Sequence, residues 1–136
     1  MRQCFQATGL DRIDRVTRNI TRDVDHAFWL KEQQLRAAFV RQGERIAAYA
    51  YGGRNQVGPV AGSTQEAALS ALGWALTAAI EAEPSGDLEL RVPAPFKPAV
   101  EVLLDAGAHL QATLLLYGKG LSQSFDRCLF GPLCLP

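Results

Sequence analysis

The chain has 136 residues, 48% of them hydrophobic and 21% charged, which suits one soluble domain with a real core. Fourteen Lys/Arg balance fourteen Asp/Glu, so the basic field of a dedicated nucleic-acid binder is absent. No apolar run reaches the roughly 18 residues of a membrane span, and Met1–Phe5 lacks the apolar core of a secretion signal, so the expected location is cytoplasmic. Cys4, Cys128 and Cys134 form no C-x-x-C pair, and His26 and His109 show no ligand spacing, so no metal site is expected.

Residues 9–27 read as helical, with Leu10, Ile13, Val16 and Thr17 as one apolar stripe and Ile20, Val24, Ala27 and Phe28 as another. Asn19-Ile20-Thr21 marks a break, with Thr21 as the cap of a second helix. Phe28 and Trp29 are expected to pack this arm onto the rest of the fold. His26 titrates near neutrality in reference peptides and is a candidate base.

Leu35–Arg41 and Arg45–Tyr51 read as two strands of a hairpin, joined by Gln42-Gly43-Glu44. Period-2 counting places Ile46, Ala48 and Ala50 on one face and Ala47, Tyr49 and Tyr51 on the other. The small residues imply a helix crossing closely, and the tyrosines a cleft or a packing face for the arm. After the turn Gly52–Asn55, Val57–Ala61 is a third strand of the meander. Gly62 is expected to supply backbone angles that a Cβ would forbid. Ser63 and Glu66 form a capping-box pair that opens a long helix with Leu69, Leu72, Leu76 and Ile80 inward, ended by Pro84-Ser85-Gly86. The exposed amides at such a helix start favour an anion, and Val60, Ala61, Gly62, Ser63, Thr64 and Gln65 are the candidate binding residues.

Asp87–Val92 is the next predicted strand, with Leu88, Leu90 and Val92 inward, completing a right-handed parallel crossover and making the sheet mixed. Pro93 and Pro95 stiffen the segment after it, Pro98 suits a first helical turn, and Gly107 stops that helix. Leu110–Tyr117 and Ser124–Leu129 are expected to pair as a terminal hairpin. The apolar tail Leu129–Pro136 offers surface that a second copy could cover.

The order of elements resembles the GNAT superfamily of N-acyltransferases. Arg45–Tyr51 followed by Val57-Gly-Pro-Val-Ala61 is similar to the G-Y-x-Y … x-G-P-V-A strands of many such domains, and Lys97–Ala108 to the helix ending in L-x-x-x-G-F. Asp23–Leu30 and Ser124–Arg127 also look like stretches of these chains, and the likeness spans roughly residues 12–130. The resemblance implies a single α/β (α+β) domain over residues 1–136, a helical arm (1–30) followed by a mixed-sheet core (35–136). In it an antiparallel meander leads into a β-α-β crossover, with helices on both faces and a terminal hairpin. The family's first strand has no counterpart, as in a shortened domain or one half of a tandem.

It further implies acetyl-CoA as cofactor, with its pantetheine arm in a gap between strands 57–61 and 88–92. A small-molecule, protein or peptide amine would be the acceptor. Tyr49, Tyr51 and His26 would line the acceptor side, and Tyr117 is the candidate acid. Two positions depart from the pattern: Leu103 stands where many members carry a proton-donating Tyr, and Ala108 where they carry Phe. The phosphate loop is reduced to Gly62-Ser63-Thr64. These departures motivate an alternative, a non-catalytic small-molecule or partner-binding module on the same scaffold. A homo-oligomer is a third expectation.

Overall fold

The computed structural model describes residues 7–113, 115 and 123–131. Two short helices, α1 (Ala7–Arg18) and α2 (Asp23–Lys31), precede a meander of β1 (Arg36–Gln42), β2 (Arg45–Gly53) and β3 (Gln56–Gly62). The long helix α3 (Gln65–Ala82), a short α4 (Lys97–Asp105) and a two-residue strand β4 (Cys128–Leu129) complete the set. The architecture is α+β, with one four-stranded sheet in the order β1-β2-β3-β4, every adjacent pair antiparallel.

The predicted mixed sheet is therefore corrected. Residues 87–92 do not form a ladder strand. They touch the sheet at single points, a parallel bridge Gln56↔Glu89 and an antiparallel bridge Arg91↔Phe130. The edge of β3 at Val60 and Ala61 is taken instead by Leu129 and Cys128. The inward set agrees with expectation, because Leu88, Leu90 and Val92 still pack against the core beneath α3. The predicted strand over 110–117 is absent among its described residues: 110–113 and 115 are irregular, and Leu110 and Leu115 are exposed. Of Ser124–Leu129 only Cys128 and Leu129 form a strand, and they pair with β3.

The sheet is sandwiched. The arm, α1 and α2, covers one face through Leu10, Ile13, Trp29, Ile46, Tyr49 and Tyr51. α3 covers the other through an alanine seam, Ala67, Ala68, Ala71, Ala75 and Ala79, with Leu72. Of the predicted stripe Leu72 is buried, Leu69 and Leu76 are half-buried against the same core and Ile80 is exposed, while alanines hold the centre of the contact. The reason is the small-residue strand below. β2 presents Ala48, Ala50 and Gly52, and a Cβ placed on Gly52 would lie 2.6 Å from the Ala75 carbonyl oxygen. Only a Cβ-sized face sits that close.

Strict alternation in β2 fails at Ala47. A register shift, with Val40 opposite Ala48 but Arg41 opposite Ile46, leaves Ala47 as an extra residue. Ile46 consequently faces the arm, not α3, while Ala47 joins the α3 side. The bulge frees the Ala47 carbonyl, which accepts from the Ser63 amide at 2.7 Å and the Ser63 hydroxyl at 3.1 Å. A second shift lies between Ala50 and Gly52, opposite the cis peptide Gly58-Pro59. Val57 and Val60, three residues apart, both enter the same core.

Helix ends also depart from expectation. The break after α1 is real, and Asn19 takes a positive φ of 56° there. Thr21 does not cap α2, whose N-cap is Arg22 without a side-chain bond. The cap of α3 is Thr64, whose hydroxyl accepts from the Ala67 amide, not Ser63, whose hydroxyl is committed to the bulge. Gly62 is required for space rather than angle: a Cβ there would meet the Ala68 amide and the Thr64 carbonyl at 2.8 Å. α4 begins with Pro98 in its first turn, and Gly107 follows at a φ of 94°.

Candidate functional site

The most elaborate polar cluster lies between the arm and the sheet. Helical spacing puts Leu10, Ile13, Asp14 and Thr17 on the buried side of α1, so a carboxylate sits inside an apolar stripe. Val16, expected there, is exposed instead. Asp14 is fully buried and meets two of the predicted site side chains directly. Its Oδ2 lies 2.8 Å from His26 Nε2, and its Oδ1 accepts from the Tyr49 hydroxyl at 2.5 Å. His26 Nδ1 in turn lies 2.7 Å from the Tyr51 hydroxyl.

A carboxylate can only accept, so His26 Nε2 donates to Asp14, and His26 Nδ1 and the Tyr51 hydroxyl share the next hydrogen bond. Every side chain of the set then has a partner, as burial demands. Trp29 packs edge-on against His26 with centroids 5.3 Å apart, and the Arg22 guanidinium lies 4.6 Å from the Trp29 ring centroid. Burial pushes the Tyr49 hydroxyl well above the ordinary tyrosine range, with Asp14 adding to the rise and Arg18 opposing it. Burial, with Asp14 contributing, raises Tyr51 as well. Both phenols are thus held neutral, and Tyr49 donates to Asp14.

The structure therefore brings together three of the predicted residues, His26, Tyr49 and Tyr51. Tyr117 lies outside the described residues. Asp14, which joins them, is not among the predicted set. Its signal in the sequence is a lone acid on the buried positions of an amphipathic helix. His26 is 5% exposed and both its ring nitrogens are engaged, so the cluster ties the arm to the sheet as it stands.

The second predicted constellation is contiguous at the front of α3, but its polar groups are taken within the chain. Val60 and Ala61 pair with Leu129 and Cys128, and the Gly62 amide donates to the Arg127 carbonyl at 3.1 Å. Ser63 serves the bulge and Thr64 caps the helix. Gln65 Nε2 donates to the Asp126 carbonyl at 3.0 Å, and Arg127 Nη1 donates to the Ser63 carbonyl at 3.0 Å.

The gap expected between β3 and residues 88–92 exists as a wedge. Its walls touch at Gln56↔Glu89, and Cys128–Phe130 fills it, pairing with β3 on one side and with Arg91 on the other. Arg18 reaches over from α1, with Nη2 donating to the Leu129 carbonyl at 2.7 Å. The Cys128 thiol is pushed up by burial, with the Arg18 charge opposing. At the closed end of the wedge lies an open cavity of about 220 Å³, lined by Arg54, Asn55, Glu89 and Arg91 among others.

Among the described residues no group of three or more His, Cys, Asp or Glu side chains is placed to hold a metal ion. No described helix is long and apolar enough to cross a membrane. Comparison with protein-family models, with curated proteins and with solved structures finds no match to this chain.

Proposed function

We propose that the chain is a GNAT-like domain of the N-acyltransferase type, taking an acyl-CoA between β3 and residues 88–92 and passing its acyl group to an amine. One observation carries this reading. The two segments run parallel where they touch at Gln56↔Glu89, then part toward the N-terminus of α3. An extended amide-bearing arm would find backbone partners on both walls, and its phosphates would lie toward the N-terminus of α3. The helical arm, the three-strand meander and the long helix that follows it, with helices on both faces, support the same reading.

With Cys128–Phe130 in place the wedge has no room for such an arm, and the amides of Gly62 and Ser63 are already donated. These groups carry no transfer step in this arrangement. That favours a second reading, a non-catalytic small-molecule or partner-binding module. Tyr49, His26 and Asp14 are buried and mutually paired, and Leu103 has no proton to give. Isothermal calorimetry with acetyl-CoA and CoA tests the first reading. Heat of binding together with turnover on a panel of amines is the expected result. Binding without turnover selects the second, and absence of heat at millimolar ligand removes the acyl-CoA reading.

A further inference from the structure

We infer that Cys128–Phe130 is a removable strap, a self-inserted strand that leaves the wedge while the rest of the fold stays intact and so opens a backbone-lined slot. The ligand of that slot, an extended amide-bearing arm, rests on the acyl-CoA reading. The strap's own mobility does not.

The attachment of this segment is unlike that of the other strands. β1, β2 and β3 pair over most of their length, whereas β4 makes two ladder pairs and Phe130 one isolated bridge. It gives one side chain to each core, Leu129 to the α3 side and Cys128 to the arm side. Its main chain is held by the Gly62 amide donating to the Arg127 carbonyl, the Phe130 amide donating to the Arg91 carbonyl, and Arg18 donating to the Leu129 carbonyl. These bonds come from three separate elements, and none of those elements relies on the strap for its own continuity. The walls it separates already meet at Gln56↔Glu89, so the wedge is hinged at one end without it.

Removing the strap frees main-chain groups on both walls, along β3 and at Arg91, a main-chain template of the kind that takes up an added extended chain. One guanidinium at the slot has a buried nitrogen that lacks a hydrogen-bond acceptor, Arg18 Nε, whereas Arg127 Nε is ion-paired with Asp126 Oδ1 at 3.5 Å. An arm bearing amide carbonyls and phosphates supplies an acceptor for Arg18 Nε.

The test uses the full chain with C4S and C134S, leaving Cys128 as its single thiol. Cys128 is fully buried, so its reaction with the thiol reagent DTNB reports departure of the strap. The expected result is labelling about tenfold faster than global unfolding followed by circular dichroism at the same urea, with a shallower urea dependence. Equal rates and slopes overturn the inference. Acetyl-CoA, which has no free thiol, is then added and is expected to speed labelling further.

Acetyl-CoA that binds by calorimetry yet leaves labelling unchanged overturns displacement by ligand while the acyl-CoA reading stands. Fast labelling without calorimetric binding supports the strap and removes the acyl-CoA reading. Hydrogen exchange on the unmodified chain gives an independent reading. The Gly62 and Phe130 amides are expected to exchange ahead of those of Ala75 and Ala79 in α3, and simultaneous exchange overturns the inference.

Discussion

Replacing Asp14 with Ala isolates the tie between arm and sheet. The substitution removes an acceptor that serves two donors in a fully buried site, His26 Nε2 at 2.8 Å and the Tyr49 hydroxyl. Each hydrogen bond to a charged acceptor contributes about 1.5–3 kcal/mol, and each stranded buried donor costs about 1–3 kcal/mol. Relief from burying a carboxylate offsets part of this. The net expectation is a loss of about 2–5 kcal/mol, two stranded donors at about 1–3 kcal/mol each less that relief. Against a total stability of about 5–15 kcal/mol for an ordinary domain, that is severe.

Tyr49→Phe removes one donor, keeps the ring and leaves Asp14 bonded to His26, so about 1–2 kcal/mol is expected. In the double variant the orphaned Tyr49 hydroxyl no longer exists. The loss in the double variant should therefore fall short of the sum of the two single losses by about 1–2 kcal/mol. Urea denaturation followed by circular dichroism on wild type, both single variants and the double variant closes the cycle. An Asp14→Ala loss under about 1 kcal/mol, or additivity within about 0.3 kcal/mol, refutes the reasoning about this cluster.

The remaining predictions concern other parts of the fold. Stability should fall in alkali: the folded phenols of Tyr49 and Tyr51 titrate above the ordinary value of 10.0, so their contribution is complete below about pH 10 and is lost as pH rises toward the folded values. The slope is at most about 1.4 kcal/mol per pH unit for each tyrosine, and urea midpoints from pH 8 to 11 should show it roughly halved in Tyr51→Phe. Gly52→Ala drives a Cβ to 2.6 Å from the Ala75 carbonyl oxygen and should cost about 3 kcal/mol in a denaturant melt. Gly73→Ala is the control, since nothing lies within 4 Å of the added Cβ in the interior of α3, and it should stabilise by about 0.8–1 kcal/mol. Thr64→Ala removes the cap of α3 and should cost about 1 kcal/mol, whereas a Ser63→Ala effect of that size through loss of a cap is not expected.

Local signals place most elements within a residue or two. The break between α1 and α2, the Gly43 hairpin, the three meander strands, the long α3 and the Pro98 helix are all legible from periodicity and turn residues. What escapes is set by neighbours distant in the chain. Nothing in Ala47-Ala48 marks which residue is the bulge, because two adjacent alanines fit either face. Gly58-Pro59 does mark an interruption within β3, and the spacing of Val57 and Val60 needs one. The alanine centre of the α3 face is missed because leucine is the more hydrophobic choice, yet where α3 crosses Gly52 only a small residue fits. The partner of strand β4 is missed because it lies some 67 residues away in the chain, and two apolar residues carry no local cue to it. At the candidate site, His26 and Tyr49 stand out by residue type. Asp14 does not, because acids are common on helices and only the burial of its stripe makes this one notable.

The alanine seam has a mechanical consequence. A bare Cα at Gly52 beneath the Ala75 backbone forms a steep repulsive wall, with no long side chains in between to bend and absorb displacement. Axial sliding of α3 along β2 by even one residue would drive methyl groups into that wall. Helix and meander therefore move together as a single slab.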